Sequence, residues 1–229
     1  MKLSSLQKGL VGHWTMSQDS LKGSLLADKT PYENDGTIYG ATFTTDRKGK
    51  ANSAMSFDGV GDYINLGNFD LTGGQRSISV WINSKNMPSS LSDRRFFSGN
   101  YFDIKFTKGN LESLVYDNSF KVLSCPASGL SSGIWYHIVI TISSNNLRMY
   151  INGILVDENN VFILTSHPYN LNIGANYSGT DKFFNGSIDD VRIYNRALSE
   201  TEIKTLYNSY NPKIVMKTSL PKIKLYGGD

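Results

Sequence analysis

Asn152-Gly153 lies between two strand-like apolar runs, Leu147-Arg148-Met149-Tyr150-Ile151 and Ile154-Leu155-Val156. A two-residue hairpin turn requires positive φ at both central positions, which asparagine and glycine tolerate and most residues resist, so this pair fixes a tight antiparallel connection. Runs of the same kind recur along the chain. In Ser77-Ile78-Ser79-Val80-Trp81-Ile82 the residues Ile78, Val80 and Ile82 fall on one face of a strand. Trp135-Tyr136-His137-Ile138-Val139-Ile140-Thr141-Ile142 precedes the hairpin, and Leu171-Asn172-Ile173-Gly174 and the segment from Gly186 to Tyr194 follow it. Strands spaced about ten residues apart, with turns between them, predict an all-β sandwich or barrel. Strands with one apolar face pair as two antiparallel sheets across a core about 10 Å thick. One segment has helical period. Ser199 and Glu202 form a capping box, and Ile203, Leu206 and Tyr207 then share a face, which predicts one short C-terminal helix.

A chain of 229 residues with 39% hydrophobic and 12% aromatic residues can bury a core without disulfides or a structural metal. It has a single cysteine, so no intrachain disulfide forms. Cys125, in Val-Leu-Ser-Cys-Pro, reads as a small core or edge residue. Net charge is +3 without a basic cluster, which argues against nucleic acid as a partner. No window approaches the roughly 18 apolar residues of a membrane span. No leader of signal-peptide type follows Met1. The expectation is therefore a piece of a longer exported protein, or a chain released by another route, and an extracellular or virion-surface location.

Four stretches taken together resemble the laminin-G-like group of the concanavalin A-like lectin/glucanase superfamily. They are Gly9-Leu10-Val11-Gly12-His13-Trp14; Ser53-Ala54-Met55-Ser56-Phe57-Asp58-Gly59 with Asp62-Tyr63-Ile64; Gly133-Ile134-Trp135-Tyr136-His137-Ile138-Val139 leading to Met149-Tyr150-Ile151-Asn152-Gly153; and the run from Gly186 through Ile188-Asp189-Asp190-Val191-Arg192-Ile193-Tyr194 to Ser199. The resemblance implies a two-sheet antiparallel jelly-roll sandwich over residues 1–208, with 209–229 an extended tail or connector. Trp14, Trp81 and Trp135 fall on strands or strand starts of this pattern and read as core.

The fold implied is shared by carbohydrate-binding and adhesion modules, glycosidase appendages and surface proteins, so function has to be argued from sites. Glycoside hydrolysis needs two carboxylates flanking one bond. No Glu-x-Asp-x-x-Glu run is present, and no nucleophile elbow, phosphate loop or His-Glu-x-x-His occurs. Asp103 and Glu112 are the carboxylates that neighbouring strands could bring together. The expectation is a non-catalytic module that binds a glycan or surface polysaccharide. The alternative is a structural or decoration protein of a virion or surface assembly that binds protein neighbours.

The resemblance also implies a structural calcium ion held by the early loop and the last strand, with Asp28, Asn34 and Asp189 as side-chain ligands. Calcium takes six to eight oxygens, and a bent loop offers carbonyls beside these side chains. Here Lys29-Thr30-Pro31-Tyr32-Glu33 stands where the group has a small polar turn. The alternative is that Asp28 and Asn34 are turn formers bonded to their own backbone, and that Asp189 or Asp190 pairs with Arg192 or Arg196. Sugar sites combine aromatic platforms with polar groups. Arg94, Tyr101, Tyr116 and Tyr177 are the candidate ligand contacts, and Tyr32 and Tyr39 are further loop aromatics. Phe96, Phe97, Phe102 and Phe106 read as core.

Overall fold

The computed structural model describes residues 3–69, 74–86, 93–100, 102–117, 119–160 and 169–209. The expected tail beyond Ser209 and the candidate contact Tyr101 lie outside them. The chain opens with helix α1 (Leu3–Gln7), β1 (Leu10–Trp14), β2 (Leu21–Lys22), β3 (Leu25–Leu26), β4 (Gly36–Tyr39) and β5 (Thr42–Thr44). Then come β6 (Ala54–Asp58), β7 (Tyr63–Phe69), β8 (Arg76–Ser84), β9 (Asp93–Gly99), β10 (Phe102–Thr107), β11 (Asn110–Asp117) and β12 (Ser119–Pro126). The last elements are β13 (Trp135–Ile142), β14 (Asn146–Ile151), β15 (Ile154–Asn160), β16 (Tyr169–Ile173), β17 (Asn185–Tyr194) and helix α2 (Glu200–Ser209).

These strands form the two antiparallel sheets of a jelly roll. The first sheet runs β15-β14-β13-β8-β17-β6-β5, with β1 added to β17. The second runs β12-β11-β10-β9-β16-β7-β4-β3-β2. The Asn-Gly hairpin forms as its residues dictate. Asn152 and Gly153 have φ of 52° and 79°, and Ile151 pairs with Ile154. The Asn152 side chain also accepts the His137 backbone N–H at 2.9 Å, which docks the turn on β13.

Alternation places Ile78, Val80, Ile82, Ile138, Ile140 and Ile142 of the first sheet in the core. They face Ile64, Leu66, Phe97, Ile104, Phe106, Leu111, Leu171 and Ile173 of the second. Trp14 and the four expected phenylalanines are buried in this core, and Cys125 is buried at its edge. The other two tryptophans differ from expectation. Trp135 is only partly buried at the start of β13. Trp81 is buried, but on the outer face of the first sheet, because it alternates with Val80 and Ile82. There it stacks on His137 at 4.8 Å and on Tyr207 of α2 at 5.8 Å.

That outer face is closed by helices. Leu6, Leu10, Val139, Tyr150, Tyr194, Leu198, Ile203 and Leu206 make a second apolar cluster under α1 and α2. Helix α1 was not evident from sequence, since a helix this short carries barely one turn of periodicity. The capping box of α2 is formed in both directions. The Ser199 N–H donates to the Glu202 carboxylate at 2.9 Å, and the Glu202 N–H donates to Ser199 Oγ at 3.3 Å. Arg196 grips the same carboxylate with two N–H groups, at 2.7 and 2.8 Å.

Candidate functional site

The early loop and the last strand do meet, as the calcium reading requires, but protein groups join them. Asp28 is buried, and its carboxylate accepts the His13 N–H at 2.9 Å, the Thr30 N–H at 2.9 Å, the Thr30 hydroxyl at 2.7 Å and the Asn34 N–H at 3.1 Å. Asn34 donates its side-chain amide to the Val11 carbonyl at 3.1 Å and accepts Trp14 Nε1–H on its own carbonyl at 2.9 Å. His13 then spans the gap, with its backbone on Asp28 and its ring Nε2 2.8 Å from Asp190. Asp189 is paired with the buried Arg47, whose other nitrogen lies 3.4 Å from Asp190. Asp190 also accepts Arg192 Nε–H at 3.0 Å, while Arg196 turns to Glu202.

Arg47 therefore supplies positive charge between the two aspartates, and it lies 4.9 Å over the Trp81 ring. Burial pushes the Asp189 carboxyl up to about 7 even beside Arg47. For Asp190 burial also works upward, but Arg192, His13 and Arg47 outweigh it and hold the group below the ordinary carboxylate range. Among the described residues no group of three or more His, Cys, Asp or Glu side chains is placed to hold a metal ion. Nothing local marked Arg47 in advance, because Asp46-Arg47-Lys48-Gly49-Lys50 reads as an exposed turn.

The outer face of the second sheet is different in kind. Ile64 and Leu66 of β7 and Ile38 of β4 point inward, so Tyr63, Asn65, Thr37 and Tyr39 point outward. The register sets Tyr39 directly opposite Tyr63, and their rings stack at 4.5 Å with 8° between planes. Tyr39 remains 45% exposed, so one ring face rests on Tyr63 while the ring is otherwise open to water. The 174–184 connection packs on Tyr63 from its own side. Gly179 has φ of 69°, and a Cβ there would fall 2.9 Å from two carbons of the Tyr63 ring, so only glycine fits.

Asparagine amides hold that connection in place. Asn65 Nδ2 donates to Asn170 Oδ1 at 3.0 Å and to Asn172 Oδ1 at 2.7 Å. Asn170 donates to the Tyr177 carbonyl at 2.8 Å, and Asn172 to the Asn176 carbonyl at 2.7 Å. Asn176 Oδ1 in turn accepts the Thr180 N–H at 3.0 Å. Each side-chain amide is engaged by a neighbouring amide or by the backbone of the connection. Tyr177 sits in the same connection, 44% exposed.

Across the sheet this face becomes charged. Asp93 lies 3.2 Å from Lys182, 3.7 Å from Lys105 and 3.7 Å from Arg95, and Arg95 reaches Asp103 at 3.1 Å. Asp103 also accepts the Ser98 hydroxyl at 2.6 Å. Burial raises the Asp103 pKa, with Arg95 and Ser98 opposing it. Glu112 stands opposite Lys105 and Asp103 opposite Leu114, so the two carboxylates are diagonal neighbours on the outer face rather than direct partners.

Of the expected ligand contacts, Tyr177 lies in the connection whose Gly179 packs on Tyr63. Arg94 is exposed near the start of β9, and Tyr116 is on β11, where only its backbone is described. Tyr39 was legible as an exposed aromatic. Tyr63, Asn65, Asn170 and Asn172 were not singled out as site residues, although the polar phase of Tyr63-Ile64-Asn65-Leu66 carried the signal.

A family model described as the concanavalin A-like lectin/glucanases superfamily matches residues 58–204, and the chain belongs to that superfamily. Among curated proteins it is similar to Paraclostridial mosquitocidal protein 1 from Paraclostridium bifermentans. That likeness is 31% identity over 156 residues, covering 65% of this chain and 11% of the relative. It is also similar to botulinum-like toxin eBoNT/J from an Enterococcus strain, at 29% over 83 residues, covering 35% of this chain and 6% of the relative. The chain thus spans about a tenth or less of these relatives' length.

Solved structures with the same fold include the botulinum neurotoxin serotype D ligand binding domain in complex with N-acetylneuraminic acid. It has TM-score 0.72 and 19% identity, covering 92% of this chain and 53% of that one. The botulinum neurotoxin DC binding domain in complex with rat synaptotagmin II has TM-score 0.70 and 17% identity, covering 88% and 51%. A botulinum neurotoxin type C structure, described as dependent on interaction with two ganglioside molecules for entering cells, has TM-score 0.72 and 15% identity, covering 90% and 52%.

Proposed function

We propose that this chain is a non-catalytic glycan-binding module, acting outside the cell at a carbohydrate-bearing surface. The observation that carries this is the Tyr39–Tyr63 stack, an aromatic ring held open to solvent on the outer face of the second sheet. A pyranose has an apolar C–H face that packs on such a ring, and a ring already fixed by a neighbour loses little side-chain entropy when ligand arrives. Among the described residues, α1, α2 and Arg47 pack on the outer face of the first sheet, whereas Tyr39 on the second sheet's outer face stays open to solvent.

Two further points support the reading. The structural relatives include domains described as bound to N-acetylneuraminic acid or dependent on gangliosides. Asp103, the most buried carboxylate of the second sheet's outer face, is engaged by the Arg95 ion pair and the Ser98 hydroxyl, which leaves it poorly placed for acid–base work. The test is a glycan array with the purified protein and Tyr39→Ala. Reproducible binding to one glycan class, lost in the variant at unchanged melting temperature, is the expected result. Silence across the array would sink the proposal.

A further inference from the structure

The surroundings of the tyrosine pair bear on the charge of its ligand. The turn that leads into Tyr63 carries two carboxylates. Asp58 accepts the N–H groups of Val60 at 2.8 Å, Gly61 at 3.1 Å and Asp62 at 3.4 Å, all on Oδ1. Asp62 accepts the Asp58 N–H on Oδ2 at 2.9 Å, and its Oδ1 lies against Gly40, so close that a Cβ there would fall 2.1 Å away. Gly40 follows Tyr39 directly, so this carboxylate oxygen borders the backbone next to the residue that carries the open ring.

Among the described residues of this sheet, positive charge is remote or committed. Lys22 is paired with Asp35 at 3.1 Å. Lys105 and Lys182 are paired with Asp93, and Arg95 with Asp93 and Asp103. Arg94 stands on β9, three strands from β4 in the order β9-β16-β7-β4, which is about 14 Å across the sheet and beyond a Debye length at physiological salt. Among the described residues no ion pair or cation–π contact reaches Tyr39 or Tyr63.

We infer that the Tyr39 platform takes a neutral pyranose, whose C–H face stacks on the ring while its hydroxyls donate to the neighbouring carboxylate oxygens, and that anionic sugars are disfavoured there. This rests on the glycan-binding reading and narrows it. Hydroxyl donors suit a carboxylate acceptor, whereas a sugar acid would add like charge within a few ångströms and lose roughly tenfold in affinity.

The test uses an array of matched pairs, each neutral β-galactose-terminated oligosaccharide beside its terminally sialylated form. It is probed with the full chain, Tyr39→Ala, Tyr39→Phe and Asp62→Asn. The neutral member of the pair is expected to bind about tenfold more tightly. Tyr39→Ala is expected to lose that binding, Tyr39→Phe to keep it, and Asp62→Asn to narrow the gap within each pair. Tyr39→Phe retains the ring, so its behaviour separates loss of stacking from loss of fold. Binding confined to sialylated members, or neutral binding that survives Tyr39→Ala, would overturn the inference and leave the module reading standing. Binding to a wholly different glycan class would do the same, and no binding to any glycan would remove both.

Discussion

At the scale of single residues, the buried charges on the outer face of the first sheet were the least legible feature. Asp189 and Asp190 announced a polar site in the sequence, but their counter-ion lies 142 positions away in an unremarkable turn. Only the fold brings Arg47 to them. Removing one partner of a buried ion pair leaves the other charge stranded, at a cost of about 3–5 kcal/mol. Arg47→Met is therefore expected to lower the melting temperature by on the order of 10 °C, read by calorimetry. The calcium expectation on Asp28, Asn34 and Asp189 is tested beside it. With Arg47 and four protein donors already on these aspartates, adding a chelator is expected to leave the wild-type midpoint unchanged. A calcium-dependent rise of several degrees would instead place an ion there.

His137 carries a second residue-scale expectation. It is fully buried beside Trp81 with Tyr207 stacked on both rings, and its Nε2 lies 2.8 Å from Ser79 Oγ. Burial lowers its pKa to about 3, with Arg47 and Arg192 adding to the effect and Asp190 opposing it. The folded value lies below the unfolded one, so the stabilisation is complete above about pH 6.5 and is lost as pH falls toward 3. Wild-type stability is expected to drop across that window by up to about 1.4 kcal/mol per pH unit. His137→Gln is expected to flatten the dependence. Urea melts at several pH values measure both, and equal slopes in the two proteins would refute the assignment.

At the scale of elements, legibility followed from how local the physics is. The Asn152-Gly153 hairpin and the Ser199–Glu202 cap were readable because each is decided within four residues. The same holds for the inward phase of Ile78, Val80 and Ile82. Trp81 was misplaced because alternation says only that it opposes Val80, not that a helix from the far end of the chain will cover it. That helix depends on its cap. Ser199→Ala removes the hydroxyl on the Glu202 N–H and is expected to cost about 1 kcal/mol, or roughly 2–4 °C. The loss should grow with Ser199→Ala and Glu202→Ala combined, because Glu202 also answers Arg196. If the double variant melts no lower than the single one, the cap and the ion pair do not anchor α2.

At the scale of the whole molecule, the two outer faces are built for opposite ends, and this makes stability and binding separable. The first sheet's outer face is filled by apolar side chains of α1 and α2 and by the ion-paired cluster of Asp189, Asp190, Arg47 and Arg192. The second sheet's outer face keeps an open tyrosine ring, and its asparagine amides are spent on holding the 174–184 connection. Truncating Ile203 or Leu206 should leave a cavity under α2 and cost about 2–5 kcal/mol. It should leave the affinity of the protein that remains folded unchanged. Tyr39→Ala should do the reverse, abolishing glycan binding with a midpoint shift within about 2 °C, because a half-exposed ring contributes little to the core. Asn172→Ala is the informative intermediate. It removes one of two partners from the Asn65 amide, which keeps Asn170, and one of two from the Asn176 carbonyl, which keeps the Gly179 N–H; this costs about 1 kcal/mol and loosens the support of Tyr63. It is therefore expected to reduce both properties. Calorimetric midpoints and glycan titrations on the same four variants decide the matter. If Ile203→Ala weakened binding as much as Tyr39→Ala, the ligand face would lie on the helical side, and the division of labour between the sheets would be wrong.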